Sequence, residues 1–143
     1  GVEVWPDGKQ YVGEYVNGVK HGEGTLTWKD GSKYVGSFYN DVIHGAGVHG
    51  WGRDGHRYEG QFNMGQMSGN GVFVSEEGSE YAGQFAAGRK HGRGTLKGTD
   101  GGAFTGSWSQ GRQHGSGRLT EAGGGSRDEE WHEGKLMNPR PAK

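Results

Sequence analysis

The chain has no cysteine and three prolines, and no apolar run in it approaches the ~20 residues that a helix needs to cross a bilayer. Without cysteine there is no disulfide framework and no thiolate metal site, which fits a reducing compartment. No signal-peptide pattern is visible, so a soluble, cytoplasmic protein is expected. Hydrophobic residues make up only 29% of 143 residues, too little bulk for two packed layers. The formal net charge is -1, so no global field exists to neutralise phosphates, and nucleic acid is excluded as a partner. The chain begins at Gly1, not methionine; we read it as a piece of something longer.

What the chain has is glycine, 33 residues of it, and sixteen aromatics: five Trp, six Tyr and five Phe. A hydrophilic, glycine-rich chain ordinarily stays disordered, because it cannot bury enough apolar area to offset its conformational entropy. Here the aromatics stand in register. A lag of 23 or 24 residues aligns Tyr11, Tyr34, Tyr58, Tyr81 and Phe104, and four residues after each comes Tyr15, Phe38, Phe62, Phe85 or Trp108. Between them runs a column of Gly13, Gly36, Gly60, Gly83 and Gly106. Two more glycine columns follow, one led by Gly22 and one by Gly24.

In "YVGEY" every second residue is aromatic, glycine, aromatic, which places both rings on one strand face with bare backbone between them. "HGEGTLTW" alternates likewise and puts Gly22, Gly24, Leu26 and Trp28 on one face. Asn17-Gly18 joins the two runs as a β-hairpin. Asp7-Gly8, Asp30-Gly31, Asp54-Gly55 and Asp100-Gly101 mark return turns. Glycine in a strand admits close approach to the backbone, so rings are expected to lie flat on glycines. The predicted fold is all-β: an elongated, single-layer, twisted antiparallel sheet of consecutive hairpins, advancing ~10 Å per repeat.

The pattern resembles the MORN (membrane occupation and recognition nexus) repeat, close to Y-x-G-x-[WF]-x-x-G-x-x-x-G-x-G, in five units from Tyr11 to about Leu119. Residues 1–10 read as a half repeat, since "GVEVWPDG" aligns with "GTLTWKDG" and sets Trp5, Trp28 and Trp51 in a column. Residues 11–137 form about six repeats and 138–143 a tail that the prolines of "NPRPAK" terminate. Repeat two carries an extra residue near "GWGRDG" and His49 where repeat one has Leu26; repeat three has Ser68 in the histidine column. Repeat six is degenerate: Arg127 replaces the first aromatic and Glu129 the glycine, and their charges suit a sheet edge. The resemblance implies a C-terminal fragment of a cytoskeletal scaffold of the protist type, cytoskeleton-associated and membrane-peripheral. The runner-up is a targeting or regulatory module of a larger enzyme, since similar repeats precede lipid-kinase and methyltransferase domains.

Chemistry finds little support in the sequence. "GRKHGRGT" lacks the strand, helix and lysine spacing of a phosphate loop. His21, His44, His91 and His114 share a column ~10 Å apart per step, whereas ligands of one zinc lie within about 4 Å of each other. Hydrogen-bonded turn and strand histidines are the expected use, and an intermolecular metal through His49, His56 or His132 is left open. Glu76-Glu77 and Asp128-Glu129-Glu130 read as solvated charge. No cofactor, no metal and no catalytic residue is assigned; the chain is read as a non-enzyme.

Binding is where the expectations gather. The rings Tyr11, Tyr15, Tyr34, Phe38, Tyr58, Phe62, Tyr81, Phe85 and Phe104 are assigned to a groove whose exposed part marks a partner site; in the family such grooves accept a peptide or helix. Between Tyr81 and Arg118 the only acid is Asp100, against Arg89, Lys90, Arg93, Lys97, Arg112 and Arg118. Arg89, Lys90 and Arg93 are the candidate contact for an anionic lipid such as a phosphoinositide. The stretch 119–135 is acidic, and Trp131, Leu136 and Met137 have no further hairpin to cover them. An antiparallel homodimer through the C-terminal repeats is expected, with Trp108, Arg112, Arg118, Trp131, Leu136 and Met137 at its interface. The alternative to solvent for these charge blocks is thus lipid or self-association.

Overall fold

A computed structural model describes residues 1–52 and 55–138. Thirteen strands follow one another in a single antiparallel sheet whose spatial order is the chain order. They are β1 (Val2–Val4), β2 (Gln10–Val16), β3 (Val19–Thr27), β4 (Lys33–Tyr39), β5 (Val42–Gly50), β6 (Arg57–Asn63), β7 (Gln66–Val74), β8 (Glu80–Ala86), β9 (Arg89–Lys97), β10 (Ala103–Ser109), β11 (Arg112–Thr120), β12 (Ser126–His132) and β13 (Lys135–Leu136). The sheet is an open ribbon of hairpins, as the alternation predicts.

Each hairpin turns on two residues of positive φ, such as Asn17 (51°) and Gly18 (83°) or Asn40 (46°) and Asp41 (72°). This backbone matches the twist of the flanking strands. The return turns close as Asp-Gly predicts: Trp28 donates to the Ser32 carbonyl at 2.9 Å and Gly31 to that of Trp28 at 3.0 Å. In repeat two Trp51 instead reaches one residue further, to His56 (2.9 Å), which is how the extra residue is absorbed. Asp54, and the prolines of the tail, lie outside the described residues.

The core is a ladder of rings on glycine. A Cβ placed on Gly24 would stand 2.5 Å from the Tyr11 Oη and 2.6 Å from its Cε1, and one on Gly13 would stand 2.6 Å from that Oη. The ring therefore spans the paired glycines of its own hairpin, Gly13 and Gly24. The second ring of the next repeat meets its edge: Tyr11 and Phe38 are 5.2 Å apart, Tyr34 and Phe62 5.3 Å, Tyr58 and Phe85 5.0 Å, Tyr81 and Trp108 5.3 Å, all T-shaped. This edge-to-face arrangement suits the ring quadrupole. Each first-column tyrosine hydroxyl donates to the carbonyl three residues on, from Tyr11 to Glu14 (2.8 Å) through Tyr81 to Gln84 (3.0 Å).

One expectation about glycine is corrected. Gly22 and its column are not platforms for rings. In the five hairpins from β2–β3 to β10–β11 the register breaks so that one residue faces three: Glu14 faces His21, Gly22 and Glu23. At that bulge Gly22 has φ 82°, and Gly45, Gly69, Gly92 and Gly115 are likewise positive, a conformation that a β-carbon disfavours. Bulges bend a strand, and their repetition curves the sheet around its rings.

Candidate functional site

The curvature decides which groups the ring face offers. Tyr11, Tyr34, Tyr58 and Tyr81 are 0–1% exposed, and Phe38, Phe62, Phe85, Phe104 and Trp108 are 3–6% exposed. The groove assigned to them is therefore not lined by them; they are core. Tyr15 alone of that set is partly exposed, and its hydroxyl donates to Glu3 at 2.6 Å. Burial raises the tyrosine pKa values, that of Tyr34 to about 12, so the phenols stay neutral and keep their carbonyl bonds.

The accessible part of this face belongs to a partly buried shell packed on the rings: Trp5, Trp28, Trp51, Ile43, Met67, Phe73, Leu96 and Leu119. Two rows flank the ladder. One carries the Trp column, in which Trp28, His49 and Trp51 stack at 5.2 and 4.1 Å. The other consists of the residues opposite the second rings, Lys20, Ile43, Met67, Lys90 and Gln113. The Trp column was visible in the sequence. The second row was not, because its members share no chemistry.

The proposed lipid contact is not assembled. Lys90 lies over the rings of Tyr81 and Trp108, at 5.6 and 5.7 Å, half-buried, and burial lowers its pKa. Arg93 points to the other face, where it donates to Ser107 (3.3 Å) and lines a shallow concavity with Thr105, Ser116 and Arg118. Only Arg89 stands beside Lys90, around a smaller cavity. Three cations on two faces cannot grip one headgroup.

The elements of the expected dimer contact are largely satisfied within the chain. Trp108 is buried, its indole donating to the Gly94 carbonyl at 3.2 Å. Trp131 packs on Phe104 at 6.0 Å, and its indole donates to Glu129. Arg118 pairs with Asp128 at 2.8 Å. Leu136 pairs with Trp131 in register and is half-buried, while Met137 is 55% exposed and Arg112 exposed. Of the carboxylates expected to be solvated in repeat six, Asp128 and Glu130 are exposed, but Glu129 is 1% exposed and faces Arg127 at 3.6 Å.

Three of the four histidines of the column are tied into the fold by hydrogen bonds. The Nδ1 of His44 accepts the Met64 amide (3.1 Å), that of His114 the Glu133 amide (3.0 Å), and that of His21 the Asn40 amide (3.5 Å). Each thus ties its strand to the first residue of the next hairpin turn.

The recurring ring and glycine columns have a counterpart among known families: the MORN repeat model matches residues 11–33, 34–55, 58–80, 81–103 and 104–126. The chain belongs to the MORN repeat family. Its matched units start at the five first-column aromatics, and the sixth unit lies beyond them. MORN repeats are non-catalytic modules of protein and membrane interaction. A comparison with curated proteins finds no relative that matches.

Proposed function

We propose that this MORN array is a non-catalytic scaffold module that holds an extended or helical segment of a partner protein along its ring face, at cytoskeletal or membrane-proximal assemblies. The observation that carries the reading is the contiguous shell of partly buried Trp28, Trp51, Ile43, Met67, Phe73 and Leu96, which keeps some access to solvent over a fully buried ring ladder. A single sheet has no second layer to cover this face, and contiguous apolar surface of this kind marks a partner site. The shell can be altered without touching the core.

The test compares faces. Trp51→Ala with Phe73→Ser should sharply reduce the proteins that the immobilised chain retains, while Val12→Ser with Val35→Ser, on exposed positions of the opposite face, should leave retention intact. The reverse pattern would move the site to the other face and overturn the reading.

A further inference from the structure

The row opposite the second rings contains two lysines, and the chain treats them differently. Lys20 lies over the rings of Trp5 and Tyr11 at 4.8 and 5.5 Å, and its side chain is 13% exposed. It has a counter-ion: Asp41 approaches its Nζ at 3.7 Å and also accepts its backbone amide at 2.8 Å. Asp41 occupies the second position of the next hairpin turn and donates its own amide to the Lys20 carbonyl (2.8 Å). A recessed ammonium on an aromatic floor thus receives a carboxylate from the neighbouring turn.

Lys90 likewise lies over the first ring of its own repeat, Tyr81, here with Trp108 of the next repeat in place of a preceding Trp5, and it has the same backbone bond, from Gly111 to its carbonyl at 2.9 Å. But Gly111 stands where repeat one has Asp41, so no carboxylate comes with the turn. Among the described residues Lys90 is in no ion pair, and Asp100, the one acid between Tyr81 and Arg118, is in the return turn. A desolvated charge without a counter-ion is costly. Beside it lies a cavity of about 210 Å³, walled by Met67, Phe73 and Phe85 and rimmed by Arg89, Lys90 and Gly111. Drug-sized ligands take ~300–1,000 Å³; this space suits one side chain.

We propose that repeat four is a receptor for an acidic, apolar peptide segment, whose carboxylate takes the place beside Lys90 that Asp41 takes beside Lys20 and whose neighbouring apolar side chain fills the Met67–Phe73–Phe85 cavity. The proposal rests on the reading of the ring face as a peptide groove and names what the groove selects. A lipid surface fits less well, because the cation is recessed and Arg93 faces away.

Gly111→Asp tests it by supplying the carboxylate in cis. Gly111 has φ 84°, but Asp41 adopts 72° at the equivalent position, and a Cβ on Gly111 meets nothing nearer than the Arg89 Cβ at 3.9 Å. The variant should melt no lower than the parent. Lys90→Met, which copies Met67 of repeat three, removes the receptor instead. A displayed library of short random peptides selected on the parent should enrich Asp or Glu next to Leu, Ile or Phe. A synthetic copy of the best binder should bind both variants about tenfold or more weakly, the worth of one charge-assisted contact. Enrichment of apolar peptides without acids would sink the receptor and leave the groove standing. Equal binding of the acidic peptide by parent and Gly111→Asp would do the same. No enrichment at all would remove the groove as well. Retention of phosphatidylcholine vesicles doped with phosphatidylserine by the parent, lost in Gly111→Asp, would reassign the site to lipid.

Discussion

Repeat one and repeat six solve the same packing problem with opposite chemistry. In repeat one the ring of Tyr11 lies on the backbone of Gly13 and Gly24. In repeat six the corresponding pair is Arg127 and Glu129, and the space is filled by an ion pair with Glu129 fully buried beneath the Trp131 indole. The ring flat on its own hairpin's glycines presents itself to the second ring of the next repeat, so ring and glycine propagate the array. A buried carboxylate accepts only a matched cation, so the pair at its end does not invite another repeat. Beyond it, Asn138 folds back, accepting the Glu130 amide (2.8 Å) and donating to the Asp128 carbonyl (3.1 Å), which satisfies backbone groups of β12 that a further strand would otherwise use.

The largest effect should follow from breaking the ring-on-glycine side of this comparison. A Cβ at Gly60 would lie 2.6 Å from the Gly71 Cα and 2.7 Å from the Asn70 carbonyl oxygen, backbone atoms that no rotamer change can move. Gly60→Val should destabilise by about 3 kcal/mol, the upper end of overpacking costs, read as a lowered denaturant midpoint. An unchanged midpoint would contradict the ring-on-glycine packing described for repeats one to five.

Next in size is the ion pair. Glu129→Ala takes the carboxylate from Arg127, three-quarters covered and donating also to the Asn138 carbonyl, and loss of one partner of a buried pair costs several kcal/mol; because Arg127 keeps that bond and some access to water, about 2 kcal/mol is expected. Replacing both, Arg127→Leu with Glu129→Leu, should cost far less, since apolar substitution of a whole buried pair is often near neutral. If the double variant were as unstable as the single, Glu129 would be acting on something other than Arg127.

These contrasts also show what the sequence could and could not convey. Period, strand faces, turns and the ring-on-glycine contact were all readable, because each depends on neighbours within one hairpin. The role of Gly22 was not, since the same letter serves a ring platform at Gly24 and a left-handed bulge at Gly22. Because that bulge sets the curvature, alternation alone suggested that Tyr34 and Phe62 line a groove, when the bend buries them and leaves Trp51, Phe73 and Met67 outside. The partner of His44 lies in the next hairpin turn, twenty residues on, and no local pattern announces it. Arg127 and Glu129 could have been found: when both members of a buried contact are replaced together by opposite charges, pairing is the simpler inference than exposure.

The smallest effect concerns the one repeat that departs from the apolar column. His49 stands where repeat one has Leu26, packed between Trp28 and Trp51 and against Tyr34 at 6.3 Å. Its Nδ1 is buried without a hydrogen-bond partner among the described residues. Burial lowers its pKa, against a weaker opposing pull from Asp30. The unfolded chain therefore binds a proton more readily than the folded one at this site, so its contribution to stability is complete above the usual imidazole value of ~6.5 and declines as pH falls through that value toward the folded one. The loss is bounded by about 1.4 kcal/mol for each unit of depression, and the site's partial access to water keeps it smaller. Thermal melts of the parent and of His49→Leu between pH 8 and pH 5, values chosen to bracket ~6.5, should diverge only on the acid side, with the leucine variant losing less. Parallel curves would mean that His49 remains neutral or equally protonated in both states, and that the aromatic stack around it does not exclude water.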